Sequence, residues 1–284
     1  MGLKMQSHKT AKTMKAAVIQ MNTGDDKPKN LACAESLIRD AALKGATLVA
    51  LPEMFNWRGP HRDINKSSES IPGPTISLLS RIASSEKISI LAGSIAEKSR
   101  QGNKVFNTSV LINAEGSIIA RYRKIHLFQF KLKNGTVVRE DRLFLPGFDI
   151  VSAQLAPCMF GFTICYDLRF PELYRTLSDR GCNVFFVPSA FTLETGAMHW
   201  EILLRARAIE NQAYILAPNQ CGLNPSGFED FGHSMIVGPN GEVLGISTHQ
   251  EDMVLSTIDF TYVKTVRKQL PALRHMRKDV YRVD

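Results

Sequence analysis

Gly161-Phe-Thr-Ile-Cys165-Tyr-Asp-Leu-Arg-Phe-Pro171-Glu172 decides how this chain folds. An apolar strand, Met159 to Ile164, gives out at Cys165, and Pro171 can open a helix reaching Asp179, because the N–H that proline lacks is unused in a first helical turn. A strand handing over to a helix in this way predicts an α/β layer, whose ligands bind beyond the carboxyl ends of the strands. The same rhythm recurs on both sides. Upstream stand a strand over Lys15 to Met21, a helix over Asn30 to Leu43 closed by Gly45, and a strand over Thr47 to Leu51. A helix from Pro74 to about Lys87 and a strand over Ile88 to Ala96 follow, then a hairpin of Val105 to Asn113 and Ser117 to Tyr122. Downstream the spacing predicts a strand over Cys182 to Val187, a helix from about His199 to Asn211 and a strand over Ala213 to Ala217. Ser234 to Val237, Val243 to Ile246 and Met253 to Ile258 complete the strands. Alternating strands and helices give an α/β fold, and the hairpins make its sheets mixed.

No linker or shift in composition divides the 284 residues, so the chain reads as one domain over residues 14–284 behind a disordered leader of residues 1–13. A composition of 44% hydrophobic and 22% charged residues excludes disordered, collagen-like and disulfide-stapled classes. The net charge of +8 sits at the ends: +4 over Met1 to Lys15 and +5 over Lys264 to Asp284, leaving −1 for the body. That is not the dense basic stripe of a nucleic-acid groove, so no nucleic-acid partner is expected. No apolar run suffices to span a membrane, and none is expected as a partner. Five cysteines at irregular spacing, with neither a CxxC pair nor a secretory signal, point to reduced thiols, no metal site and a cytoplasmic protein. The phosphate-binding GxxxxGK[ST] loop, the GxGxxG fingerprint and the GxSxG elbow are all missing. His199-Trp200-Glu201 matches half of a zinc-deaminase motif, but the PCxxC half does not follow it.

What remains is Cys165 at the end of a strand. Most free cysteines are buried packing residues, but few of those end a strand beside two charges such as Asp167 and Arg169. A thiol that attacks an amide must lose its proton, and the oxyanion that forms must be stabilised. Two other strand ends carry suitable groups. Glu53 closes Leu-Val-Ala-Leu-Pro-Glu and could act as general base; Lys124 closes Ile-Ile-Ala-Arg-Tyr-Arg-Lys and could attract the oxyanion. His126 and His233 offer a rival, a Cys–His pair of the cysteine-peptidase type. Spacing does not choose between these bases.

Leu51-Pro52-Glu53, Tyr122-Arg123-Lys124-Ile125-His126-Leu127-Phe128 and Ile164-Cys165-Tyr166-Asp167-Leu168-Arg169-Phe170-Pro171-Glu172 resemble, in order, the three signature segments of the nitrilase (carbon–nitrogen hydrolase) superfamily. Phe106-Asn107-Thr108-Ser109, Glu140, Pro146-Gly147 and the run from His199 to Asn211 match as well, so the likeness extends from about Met14 to the C-terminus. The resemblance implies a four-layer α-β-β-α sandwich with two mixed sheets. It implies a Glu-Lys-Cys triad of Glu53, Lys124 and Cys165, with the Tyr166 backbone N–H as second oxyanion donor and Glu140 as a positioning acid. It also implies no cofactor, a small-molecule amide substrate that loses ammonia through a thioester, and a homodimer or higher homo-oligomer.

Phe191-Thr-Leu-Glu-Thr-Gly196 followed by His199-Trp200-Glu201 is similar to the amidase branch that holds deaminated glutathione amidase and omega-amidase. Those enzymes cleave a terminal carboxamide next to an α-keto acid group. Leu203 to Arg207 and Asn219 to Gly222 lean toward deaminated glutathione amidase; omega-amidase and N-carbamoyl-amine hydrolase are the alternatives. Gln129 stands where the branch often has Asp, and the basic loop Lys131 to Arg139 is expected to shape the pocket mouth. An anionic substrate needs a cationic anchor, for which Arg58, Arg139 and Arg169 are candidates, although Arg169 is expected to be tied to Glu172 or Asp167. A catalytically silent oligomeric scaffold is the alternative from another class.

Overall fold

Along the first strand, Thr13–Gln20, buried residues divide between two cores. Ala16 and Val18 join one apolar cluster, Ala17 and Ile19 the other. Leu48 and Val49 of the next strand, Leu48–Ala50, split in the same way. A strand whose successive side chains both find apolar cover lies in a sheet buried on two faces. The computed structural model describes residues 12–131, 137–225 and 227–280 and has this layering throughout.

The larger sheet has eight strands. Thr13–Gln20, Leu48–Ala50 and Ser89–Leu91 run parallel at its centre, and Asp252–Asp259 pairs antiparallel with the first, Thr13 opposite Asp259. Val105–Ile112 lies antiparallel to Ser89–Leu91 and also carries Ile95–Lys98, Ile118–Arg123 and Phe144–Leu145. The second sheet has six strands in the order Ser152–Leu155, Cys158–Phe162, Val184–Phe186, Tyr214–Ala217, Met235–Val237, Val243–Ile246. Its second, third and fourth strands are parallel and its outer pairs antiparallel.

Between the sheets, Val18, Leu48 and Tyr122 share a cluster with Phe160, Phe162 and Phe186. The Phe186 ring centroid lies 5.0 Å from that of Phe160 and 5.5 Å from that of Phe162. Helices Lys27–Leu43 and Pro74–Glu86 cover the outer face of the first sheet through Ala34, Ile38, Ile76 and Leu79. Helices Pro171–Asp179 and Leu193–Asn211 cover the second. The result is the expected four-layer α-β-β-α sandwich.

Several boundaries differ from the sequence expectation, and three of them near the first sheet have local reasons. Residues 1–11 of the expected leader lie outside the described residues, but Thr13 already belongs to the first strand. The first helix begins at Lys27 because Asp26 caps it, accepting from Lys29 N at 3.0 Å, with Pro28 in the first turn. The single strand expected over Ile88 to Ala96 is two, broken at Gly93, where a Cβ would run into the carbonyl oxygens of Leu51 and Pro52. That crossing is how the chain carries Glu53 over the end of the sheet.

Candidate active site

Glu53 leaves the end of Leu48–Ala50 in a turn whose next residue, Met54, has φ 53° and bonds through its N–H to Ser94 Oγ at 2.9 Å. The Gln220 amide donates to Glu53 O at 2.9 Å, so a residue from the second sheet's side fixes the main chain of the acid. Lys124 follows Ile118–Arg123, with its N–H on Asn107 O at 2.9 Å and its carbonyl accepting from Gly147 N at 2.8 Å. Glu140 opens a short turn after Val137–Arg139, and its Oε2 accepts from Phe128 N at 2.7 Å.

These three loops meet at the Lys124 ammonium, only 1% exposed. Its Nζ stands 2.9 Å from Glu53 Oε1 and 2.9 Å from Glu140 Oε2. Burial disfavours an ammonium, but the two carboxylates outweigh it and hold Lys124 well above its ordinary pKa, so it remains charged. Burial pushes Glu140 up against the opposing pull of Lys124.

Cys165 comes from the other sheet, just past Cys158–Phe162, and begins a 3₁₀ turn over Cys165–Arg169. Its φ of 47° is a left-handed conformation that a non-glycine residue adopts only when its surroundings over-determine it, at a cost of about 1–3 kcal/mol. The surroundings do. Cys165 N donates to Pro188 O at 2.9 Å, and Asp167 closes the turn by accepting from Ile164 N at 2.9 Å. Burial, then the charge of Glu53, pushes the Cys165 thiol well above its ordinary range; Lys124 and the Ala190 N–H pull the other way. The resting sulfur is therefore a neutral thiol that needs a base at the moment of attack.

The sulfur, Glu53, Lys124 and Glu140 all line one cavity of about 190 Å³. Trp57, Phe128, Phe144, Tyr166 and Phe191 supply much of its wall, and the Tyr166 ring packs edge-on to Phe128 at 5.2 Å. Among the described residues no three His, Cys, Asp or Glu side chains gather as metal ligands.

The candidate anchors also line this cavity, but in different electrostatic states. Arg58 forms an ion pair with Asp230, whose side chain is 1% exposed, and Arg139 pairs with Asp141 at the surface. Arg169 departs from expectation. Its Nη1 is 3.2 Å from His199 Nδ1, and its guanidinium lies over Tyr166 and Phe191, 5.9 and 5.4 Å from the ring centroids. Asp167 is committed elsewhere, to Tyr122 OH at 2.6 Å and to the backbone N–H and Nδ1 of His126 at 3.0 and 2.7 Å. His126 is further fixed by stacking on Phe170, ring centroids 3.6 Å apart. Neither it nor His233 lines the cavity. His233 lines a different pocket with Trp200, its Nδ1 2.8 Å from Phe231 O. The basic loop falls partly outside the described residues at 132–136, while Phe130 and Arg139 on its flanks do line the cavity.

Sequence reasoning missed Asp230, the hold of Gln220 on the Glu53 main chain and the part played by Asn107, whose Nδ2 donates to Glu53 Oε1 at 2.8 Å. Asp230 and Gln220 meet partners well over a hundred positions away, so no local pattern could reveal them.

The carbon–nitrogen hydrolase family profile matches residues 15–268. The human omega-amidase NIT2 is 36% identical over 272 residues, covering 96% of this chain and 98% of that protein. Among solved structures, the C. elegans NitFhit protein superposes with a TM-score of 0.91 at 33% identity, over 96% of this chain and 67% of that one. Saccharomyces cerevisiae Nit3, described as a member of branch 10 of the nitrilase superfamily, gives 0.86 at 30% identity, over 94% and 98%. The lean toward deaminated glutathione amidase is not carried by these relatives; omega-amidase is the better-supported name in the branch.

Proposed function

Because the chain belongs to the carbon–nitrogen hydrolase family, we propose that it is a cysteine-dependent amidohydrolase of the omega-amidase type, acting on a small amide that also bears a carboxylate. One observation carries this reading: an acid and an ammonium in contact at 2.9 Å line the same cavity as a buried cysteine held at a strand end.

Glu53 takes the Sγ proton as sulfur attacks the carboxamide carbon, and the carbonyl π pair moves onto oxygen. Lys124 and the Tyr166 N–H hold that oxyanion; each such donor is typically worth about 10²–10³-fold in rate. As the oxyanion collapses, the C–N bond breaks, Glu53 returns the proton to nitrogen and ammonia leaves a thioester on Cys165. Water, deprotonated by Glu53, then attacks the thioester and releases the acid and the thiol. Glu140 keeps Lys124 in place throughout.

Substrate choice follows from the three arginines. Arg58 and Arg139 are already neutralised by Asp230 and Asp141, whereas Arg169 meets a histidine and two aromatic faces. Arg169 thus retains the charge for a substrate carboxylate, and planar guanidinium–carboxylate pairing fits an α-keto acid head. The five cysteines are all free thiols, which fits a cytoplasmic enzyme. Met198, Ile202 and Ile209 leave an apolar stripe exposed on Leu193–Asn211, with the exposed Ile246 lining the same hollow as Met198 and Ile202, and this face suits pairing with a second copy.

The test is ammonia release from α-keto-acid ω-amides, deaminated glutathione, carbamoyl amines and simple aliphatic amides, with mass spectrometry of the protein after brief exposure. Turnover of a keto-acid amide with an acyl adduct on Cys165 is expected. Turnover confined to carbamoyl amines would move the enzyme to that reaction, and no adduct with any amide would favour a silent scaffold.

A further inference from the structure

Both hydrogen bonds that the described residues make to the Glu53 carboxylate fall on one oxygen. Lys124 Nζ donates to Oε1 at 2.9 Å and Asn107 Nδ2 donates to the same atom at 2.8 Å. No donor among the described residues reaches Oε2. Asn107 is 1% exposed, on Val105–Ile112 opposite Ala96, and its backbone carbonyl accepts from Lys124 N at 2.9 Å. A single residue therefore grips the acid through its side chain and the lysine segment through its main chain. The other end of its amide, Oδ1, is buried and takes no hydrogen bond from any described residue. A side chain kept for packing alone would be better replaced by an apolar one, since a buried polar atom without a partner is unfavourable.

We propose that Asn107 is a positioning residue for the base: with Lys124 it occupies Oε1 of Glu53, leaving Oε2 as the atom that takes the proton from Sγ. The pair of electrons released by the S–H bond stays on sulfur, and the proton moves to Oε2 without breaking either bond at Oε1. Without Asn107 the carboxylate can turn about its terminal torsion, which is broad and roughly two-fold, and the free lone pairs leave the sulfur. This inference rests on the assignment of Glu53 as base.

Asn107→Asp tests it, because it keeps the shape and replaces the donor by an acceptor. Misplacement of a catalytic group by about an ångström costs on the order of 10²-fold, so kcat should fall by about that factor while KM holds. The acid limb of the kcat/KM profile should move to higher pH, because the ionised base has lost a donor. Asn107→Ser, which retains a short donor, should recover part of the rate and restore the limb. A parent-like pH profile for Asn107→Asp, or a loss carried wholly in KM, overturns the proposal. If Asn107→Asp does not fold by circular dichroism, Asn107→Ala is judged by the same two readouts. Glu53→Gln in the same assay separates the premises. A fully active Glu53→Gln removes the base assignment itself, whereas an inactive Glu53→Gln beside a parent-like Asn107→Asp removes only the role of Asn107.

Discussion

Two buried charge clusters stand two residues apart on the segment after Ile118–Arg123. At Lys124 the ammonium sits between Glu53 and Glu140, and all three open onto the cavity that holds Cys165. At His126 the imidazole and backbone N–H bind Asp167, which also takes the Tyr122 hydroxyl and Ile164 N–H and is fully buried. The Asp167 cluster ties the first sheet to the second, whereas the Lys124 cluster is built from first-sheet loops alone and meets Cys165 across the cavity. They differ in what is left over. Asp167 is saturated by four donors and faces protein on every side, whereas Glu53 keeps an oxygen that no described residue occupies. Buried charge alone does not identify chemistry; a buried charge with an unspent lone pair beside a cavity does.

Substitutions can break this comparison, beginning with the largest effect. Lys124→Met should lower ammonia release by at least about 10²–10³-fold through loss of an oxyanion donor. It also leaves Glu53 and Glu140 buried without their counter-charge, a change of about 3–5 kcal/mol in denaturant unfolding. His126→Ala should show the opposite balance: stability falls by about 1–3 kcal/mol as Asp167 loses a side-chain partner, while turnover stays within a few-fold. Abolished turnover in His126→Ala beside a healthy Glu53→Gln would make the histidine the base. Tyr122→Phe removes one of the remaining donors to Asp167 and should cost about 0.5–1.5 kcal/mol with activity retained. Arg139→Ala, at an exposed pair, should leave the denaturant midpoint of unfolding where it is.

A pH measurement sharpens the same contrast. The Cys165 thiol is held above its ordinary 9.0, so its thiolate fraction at neutral pH is smaller than that of a free thiol. Alkylation of Cys165 by iodoacetamide should therefore be slow at pH 7 and still rising above pH 9. A rate that levels off below pH 8 would mean a resting thiolate, in which case Glu53 is not needed to generate the nucleophile.

Local sequence chemistry revealed most strands and helices because their signals are local. Pro74 and Pro171 opened helices where expected, and Glu53, Lys124 and Cys165, which line one cavity, stood out as polar residues ending apolar runs. Cys165 was legible for a further reason, since a small nucleophile beside charged neighbours is unusual in a core. Close approach was not legible. Leu193–Asn211 begins six residues before the expected His199 because Thr192 caps it, and Gly196, a poor helix former, sits where a Cβ would collide with Phe231. Arg169 was expected against Asp167 or Glu172 on the strength of sequence nearness, and Asp167 turned instead to partners 41 and 45 residues away. Side-chain pairing between distant loops is set by how the sheets stack, and one-dimensional spacing carries little of it.

The stacking has a consequence for how the molecule comes to work. Glu53 and Lys124 belong to the first half of the chain and Cys165 to the second, so on the proposed mechanism neither half carries every reacting group. Turnover thus reports on tertiary assembly itself: a chain cut between the halves would be inert as separate fragments and would regain hydrolysis only on reassociation.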